Sequence, residues 1–60
     1  MHILILRLLQ FVWTLTARYG SDRIWRVVWF ITNNPTKVLS WIKGGQSFTN
    51  IVKRIIDLLY

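Results

Sequence analysis

Three breaks constrain this chain more than any other feature: Gly20, the triplet Asn33-Asn34-Pro35, and the pair Gly44-Gly45. Glycine reaches backbone conformations that other residues avoid, and proline cannot continue a helix that precedes it. Between the breaks, apolar residues recur at spacings of three and four, and no segment alternates as a strand does. The pattern predicts helices over residues 3–19, 22–32, 35–43 and 48–59. With turns this short, consecutive helices fold back on one another. The expected fold is all-α, a compact four-helix bundle with short turns, forming a single domain over residues 1–60.

Each piece carries its own start and stop signals. In the first, Arg7, Gln10, Thr14 and Arg18 form a narrow polar stripe on an otherwise apolar helix. Gly20 suits a left-handed C-terminal cap. Ser21 is the expected N-cap of the second helix, with Asp22 in its positive first turn. Ile24, Val27, Val28 and Ile31 line one face there with Trp25 at its edge. Trp29 and Phe30 flank Arg26 on the polar side. Asn34-Pro35 reads as a cap followed by proline at the first helical position. Val38, Leu39, Trp41 and Ile42 are expected to face inward, and Gly44 closes the piece. Ser47 caps the last helix, whose apolar face is Phe48, Ile51, Val52, Ile55, Ile56, Leu58 and Leu59.

A 60-residue chain buries only about 60% of the surface its unfolded form exposes. There is no cysteine, so no disulfide supplements that small core. The one histidine, His2, has no second strong ligand near it in sequence, so no metal is expected.

Eight basic residues stand against two acidic ones, for a formal net charge of +6, and 53% of the chain is hydrophobic with four tryptophans. Disordered basic tails are poor in apolar residues, which excludes that class. Tryptophan favours the membrane–water interface, and arginine and lysine favour anionic lipid. The most apolar stretch, Ile3 to Leu15, contains Arg7 and Gln10. A spanning helix takes about 20 mostly apolar residues, and a central arginine costs about 2.5 kcal/mol or more. A stable single span is not expected. Nor is a signal peptide ending near Ala17, since Arg7 interrupts the apolar region and Leu15 is bulky for a cleavage site.

Catalytic groupings are missing. Asp22 lies four residues before Arg26, and Asp57 lies next to Lys53 and Arg54 on a helix, so local ion pairing is the expected role of both carboxylates. Ser21 and Ser47 read as caps, and Gly44-Gly45 lacks the lysine-serine signature of a phosphate loop. No enzyme and no cofactor is expected.

From Leu15 the chain reads L-T-A-R-Y-G-S, then W-R-V-V-W, then N-N-P-T-K-V-L-S-W-I-K-G-G-Q, then I-V-K-R-I-I-D-L-L. The order resembles the leaderless bacteriocins of the aureocin and lacticin Q type over residues 15–59. Ala17-Arg18-Tyr19-Gly20, the Trp25 and Trp29 pair, Lys37-Val38-Leu39-Ser40-Trp41 and Gly45-Gln46 carry the likeness. The resemblance implies a saposin-like bundle of four helices. It implies a peptide made without a leader, keeping its initiating methionine and secreted as synthesised. It also implies action on anionic bacterial membranes without a protein receptor, causing leakage. The first helix is longer and more apolar than that family usually has, which leaves its deeper insertion open.

The sequence therefore reads as a secreted cationic antimicrobial peptide whose partner is the anionic bacterial lipid membrane, not nucleic acid. It is expected to be monomeric in solution, with self-association on the membrane left open. The basic residues are spread over every helix, which suits a planar anionic target better than a groove in nucleic acid. Core packing is the expected place of Trp13, Trp25 and Trp41, and Trp29 is the tryptophan singled out for the interface. The candidate membrane-binding residues are Arg7, Arg18, Arg23, Arg26, Trp29, Phe30, Lys37, Trp41, Lys43, Lys53 and Arg54. The alternatives are an intracellular membrane-inserting toxin peptide, supported by the apolar first helix, and a small nucleic-acid-binding module. The latter's affinity would fall steeply with salt.

Overall fold

Ile5, Leu8 and Val12 recur at the three-and-four spacing of one helix face, and all three are buried. They belong to α1 (Ile3–Trp13), the first of five helices in the computed structural model, which describes residues 2–60. Met1, whose retention the family likeness implies, lies outside them. The others are α2 (Thr16–Tyr19), α3 (Ser21–Asn33), α4 (Pro35–Lys43) and α5 (Phe48–Leu59). No strand is present among the described residues. The chain is all-helical and packs like a four-helix bundle, with α2 a single extra turn.

That extra turn corrects the expected continuous helix over residues 3–19. The Thr14 hydroxyl donates to the Phe11 carbonyl at 2.6 Å, and the Thr16 hydroxyl donates to the Trp13 carbonyl at 2.8 Å. The Thr14 and Leu15 amides reach back three residues rather than four, to Phe11 and Val12. Threonine hydroxyls compete for helix carbonyls, and three-residue bonds tighten the turn. The helix stops at Trp13 and restarts at Thr16.

Gly20 is then the whole connection between α2 and α3. Its φ of 87° and ψ of 151° lie in an extended, positive-φ region that is nearly reserved to glycine. It is not the left-handed cap the sequence suggested. Gly20 also takes the N-cap position of α3, and Ser21 is the first helical residue rather than the cap.

The α3–α4 junction shares its side chains differently from expectation. Pro35 opens α4 at the first helical position, as predicted. Asn34 sits at the N-cap, but its side-chain amide donates backward to the Phe30 carbonyl at 3.0 Å. Asn33 and Thr32 both donate to the Trp29 carbonyl, at 2.8 and 3.0 Å. The Phe30 carbonyl already accepts from the Asn34 amide, so the side-chain amide is a second donor to it rather than the cap of a free carbonyl.

The end of α4 is a Schellman motif. The Gln46 amide bonds the Trp41 carbonyl, the Gly45 amide bonds the Ile42 carbonyl, and Gly45 takes φ of 94°. Ser47 caps α5 as predicted, its hydroxyl accepting from the Asn50 amide at 3.2 Å. An unforeseen cap opens α1: the His2 Nδ1 accepts from the Leu4 amide at 3.1 Å.

Ten aliphatic side chains fill the core: Ile5, Leu8 and Val12 from α1, Ile24, Val27 and Ile31 from α3, Val38 from α4, and Ile51, Val52 and Ile55 from α5. None is aromatic and none is polar. α3 packs on α1, α2, α4 and α5, so it is the helix around which the others gather. The radius of gyration is 10.4 Å, matching the value of about 10.4 Å expected of a compact chain this long. Leu58, assigned by the sequence to the apolar face of α5, is instead exposed near the end of that helix.

Candidate membrane-docking surface

A core this narrow leaves no room for indoles, and their placement creates the main surface feature. Trp13 at the end of α1 meets Trp25 near the start of α3, with ring centroids 5.0 Å apart and planes at 86°. This edge-to-face arrangement suits aromatic rings electrostatically. It also shows that α1 and α3 run antiparallel, since Ile5 and Ile31 line one depression at the opposite end. Trp29 follows Trp25 by four residues and stands on the same side of α3. Trp13 is 41% exposed, Trp25 62% and Trp29 59%.

The Trp13–Trp25 pair at the α1–α3 seam and Trp29, one turn further along the same side of α3, make up an exposed tryptophan ridge. Leu6, also exposed, lies seven residues before Trp13 on the same face of α1. The expectation that Trp13 and Trp25 pack in the core is therefore corrected. Each follows a buried aliphatic residue, Val12 and Ile24 respectively, and the 100° step of the helix carries it to the flank. The spacing of Trp25 to Trp29 held the signal, because residues four apart share a face.

Trp41 and Phe30 belong to a different arrangement. Their rings stack with centroids 6.1 Å apart and an interplanar angle of 11°, joining α4 to α3. Arg54 of α5 places its guanidinium 4.9 Å above the Trp41 ring. Both aromatic rings are half-buried against the core. Phe30 is thus a packing residue, not the polar-side residue the sequence suggested, and Trp41, expected both to pack and to bind membrane, is half-buried beneath Arg54.

All eight predicted cations are exposed. Arg7 is on α1, Arg18 on α2, Arg23 and Arg26 on α3, Lys37 and Lys43 on α4, and Lys53 and Arg54 on α5. They do not converge on one stripe. Arg23 and Arg26 do converge locally: both guanidiniums lie over the Tyr60 ring, at 5.1 and 5.6 Å. The Arg26 side chain, the expected partner of Asp22, is thus directed onto an aromatic ring. Tyr60 was not among the predicted residues. The two arginines, Asp22, Trp25 and Tyr60 line a shallow depression at one end of the tryptophan ridge.

Among the described residues, no three metal-binding side chains gather, and no helix is long and apolar enough to cross a membrane. α1, with 11 residues, is about 16 Å long, against a hydrocarbon core of about 30 Å. Comparison with models of protein families, with curated proteins and with solved structures finds no match to this chain.

Proposed function

We propose that this chain is a secreted cationic antimicrobial peptide that docks on anionic bacterial membranes through the Trp13–Trp25–Trp29 ridge and permeabilises them. The observation that carries the reading is the ridge itself: three exposed indoles on a small protein with net charge +6. Scattered apolar side chains are ordinary on a protein surface, but a contiguous aromatic patch marks a contact surface. The resemblance of residues 15–59 to leaderless bacteriocins supports the same reading.

Charge argues for lipid over a second copy of the chain. Two ridges brought face to face would carry the same positive charge, with Arg23 and Arg26 near both. An anionic bilayer offers the complement. Magnitudes show that both components are required. A basic residue near an anionic surface contributes about 1 kcal/mol, so Arg23 and Arg26 alone give affinity of order tens of millimolar. The indoles supply the rest, each settling at headgroup depth with its ring buried and its N–H wet.

No described helix spans the bilayer, so this action is interfacial. The α1–α3 pair lies in the headgroup plane and crowds one leaflet, as amphipathic surface helices do. The test is dye release from sealed vesicles. Release should be strong from phosphatidylglycerol vesicles and weak from phosphatidylcholine vesicles. Equal inactivity on both sinks the proposal.

A further inference from the structure

Arg23 and Arg26 stand one helical turn apart on α3, and both guanidiniums lie over the single ring of Tyr60 at 5.1 and 5.6 Å. Like charges drawn onto one ring repel each other, and an anion beside them relieves that repulsion. Asp22 borders the same depression. The ring engages a guanidinium through its face. The N–H donors of arginine lie in the guanidinium plane and point outward from its edges. Tyr60 therefore orients both donor sets without consuming them.

We infer that this depression is a phosphate site whose ligand is the phosphodiester of an anionic phospholipid headgroup. Guanidinium forks match phosphate oxygens in a bidentate manner that lysine does not reproduce. Holding the forks in place beforehand lowers the ordering cost of binding. Trp25 forms one wall of the depression and also belongs to the ridge. A phosphate seated between the arginines thus lies beside an indole at headgroup depth, with the remaining ridge pointing toward the acyl region. The phosphate chemistry rests on the Arg23–Arg26–Tyr60 geometry alone; the lipid as its source rests on the membrane reading above.

Arginine side-chain N–H resonances of the full chain, followed by NMR, test both parts. One titration uses dihexanoyl-phosphatidylglycerol below its micelle-forming concentration, a second uses inorganic phosphate, and a third uses a short DNA duplex. Arg23 and Arg26 should shift and saturate with the short-chain lipid, while Arg7 and Arg18 serve as internal reference for salt effects. Inorganic phosphate should need a concentration about tenfold higher. Non-saturating shifts of equal size at all four arginines overturn the site. Saturation at equal concentrations of lipid and phosphate overturns the lipid as source, and tighter saturation by the duplex overturns it in favour of nucleic acid.

A second measurement uses Arg23→Lys together with Arg26→Lys, which keeps the net charge and removes both forks. Its partitioning onto phosphatidylglycerol vesicles should weaken about tenfold. A loss under about twofold overturns the site even if the titration is positive. Wild-type dye release without saturable arginine shifts removes this site and leaves the membrane reading standing. Saturable shifts without dye release do the reverse.

Discussion

Ile24 and Trp25 are neighbours in the chain with opposite surroundings. Ile24 is fully buried and Trp25 is 62% exposed. One 100° step around α3 separates a side chain that holds the bundle together from one that faces outward. Ile24→Ala removes a core side chain and should lower unfolding free energy by about 2–5 kcal/mol, read from urea denaturation. Trp25→Ala should lower that free energy by no more than about 1.5 kcal/mol, yet weaken binding to phosphatidylglycerol vesicles about tenfold. Severe unfolding of the Trp25 variant would mean that its ring supports the fold rather than the surface. The edge-to-face contact of Trp13 with Trp25 adds a further check. A double-mutant cycle on these two residues should return a coupling of about 0.5–1.5 kcal/mol in stability. A coupling near zero would mean that the rings separate in solution.

At the level of elements, the turns carry the topology. Gly20 joins α2 to α3 without a loop, at a φ of 87°. A Cβ there would meet nothing within 4 Å, so any cost of Gly20→Ala comes from backbone strain alone. The variant should lose about 1–3 kcal/mol of stability while keeping helical circular dichroism. An unchanged denaturation midpoint would show that the junction relaxes at no cost. The positions of Gly20, Asn34-Pro35 and Gly44-Gly45 were legible in the sequence, because proline and glycine impose local rules that tertiary packing does not override. The finer roles were not. Two threonine hydroxyls split the first helix, and their competition for carbonyls is decided only where the chain has somewhere to turn. Ser21 yields the cap position to Gly20, whose positive φ other residues rarely adopt. Asn34 spends its amide on the helix behind it, which a pattern of residue types does not distinguish from capping the helix ahead. The docking surface was half legible for a related reason. Exposed cations follow from their charge, whereas the burial of a tryptophan depends on how wide a core the bundle encloses, and this core holds aliphatic residues only.

The whole molecule carries its charge on every helix and its exposed indoles in one ridge. Under the proposed function, these two distributions divide the work of docking. Cations on all sides would attract the protein to an anionic surface in any orientation, and the ridge would then select one. Salt separates the two contributions, because the Debye length falls from about 10 Å at 0.1 M to about 3 Å at 1 M. Raising the ionic strength over that range should weaken binding to phosphatidylglycerol vesicles by about fivefold to 150-fold, corresponding to one to three basic residues engaged at about 1 kcal/mol each. The remaining affinity should equal that for phosphatidylcholine vesicles, where indole burial acts alone. Brominated lipids, which quench tryptophan at a chosen depth, should reduce emission from the wild-type chain under both conditions. Trp25→Ala combined with Trp29→Ala should keep the salt-sensitive attraction at 0.1 M and lose measurable binding at 1 M. If that double variant binds at high salt as well as wild type does, the ridge is not the anchor and another face of the bundle meets the bilayer.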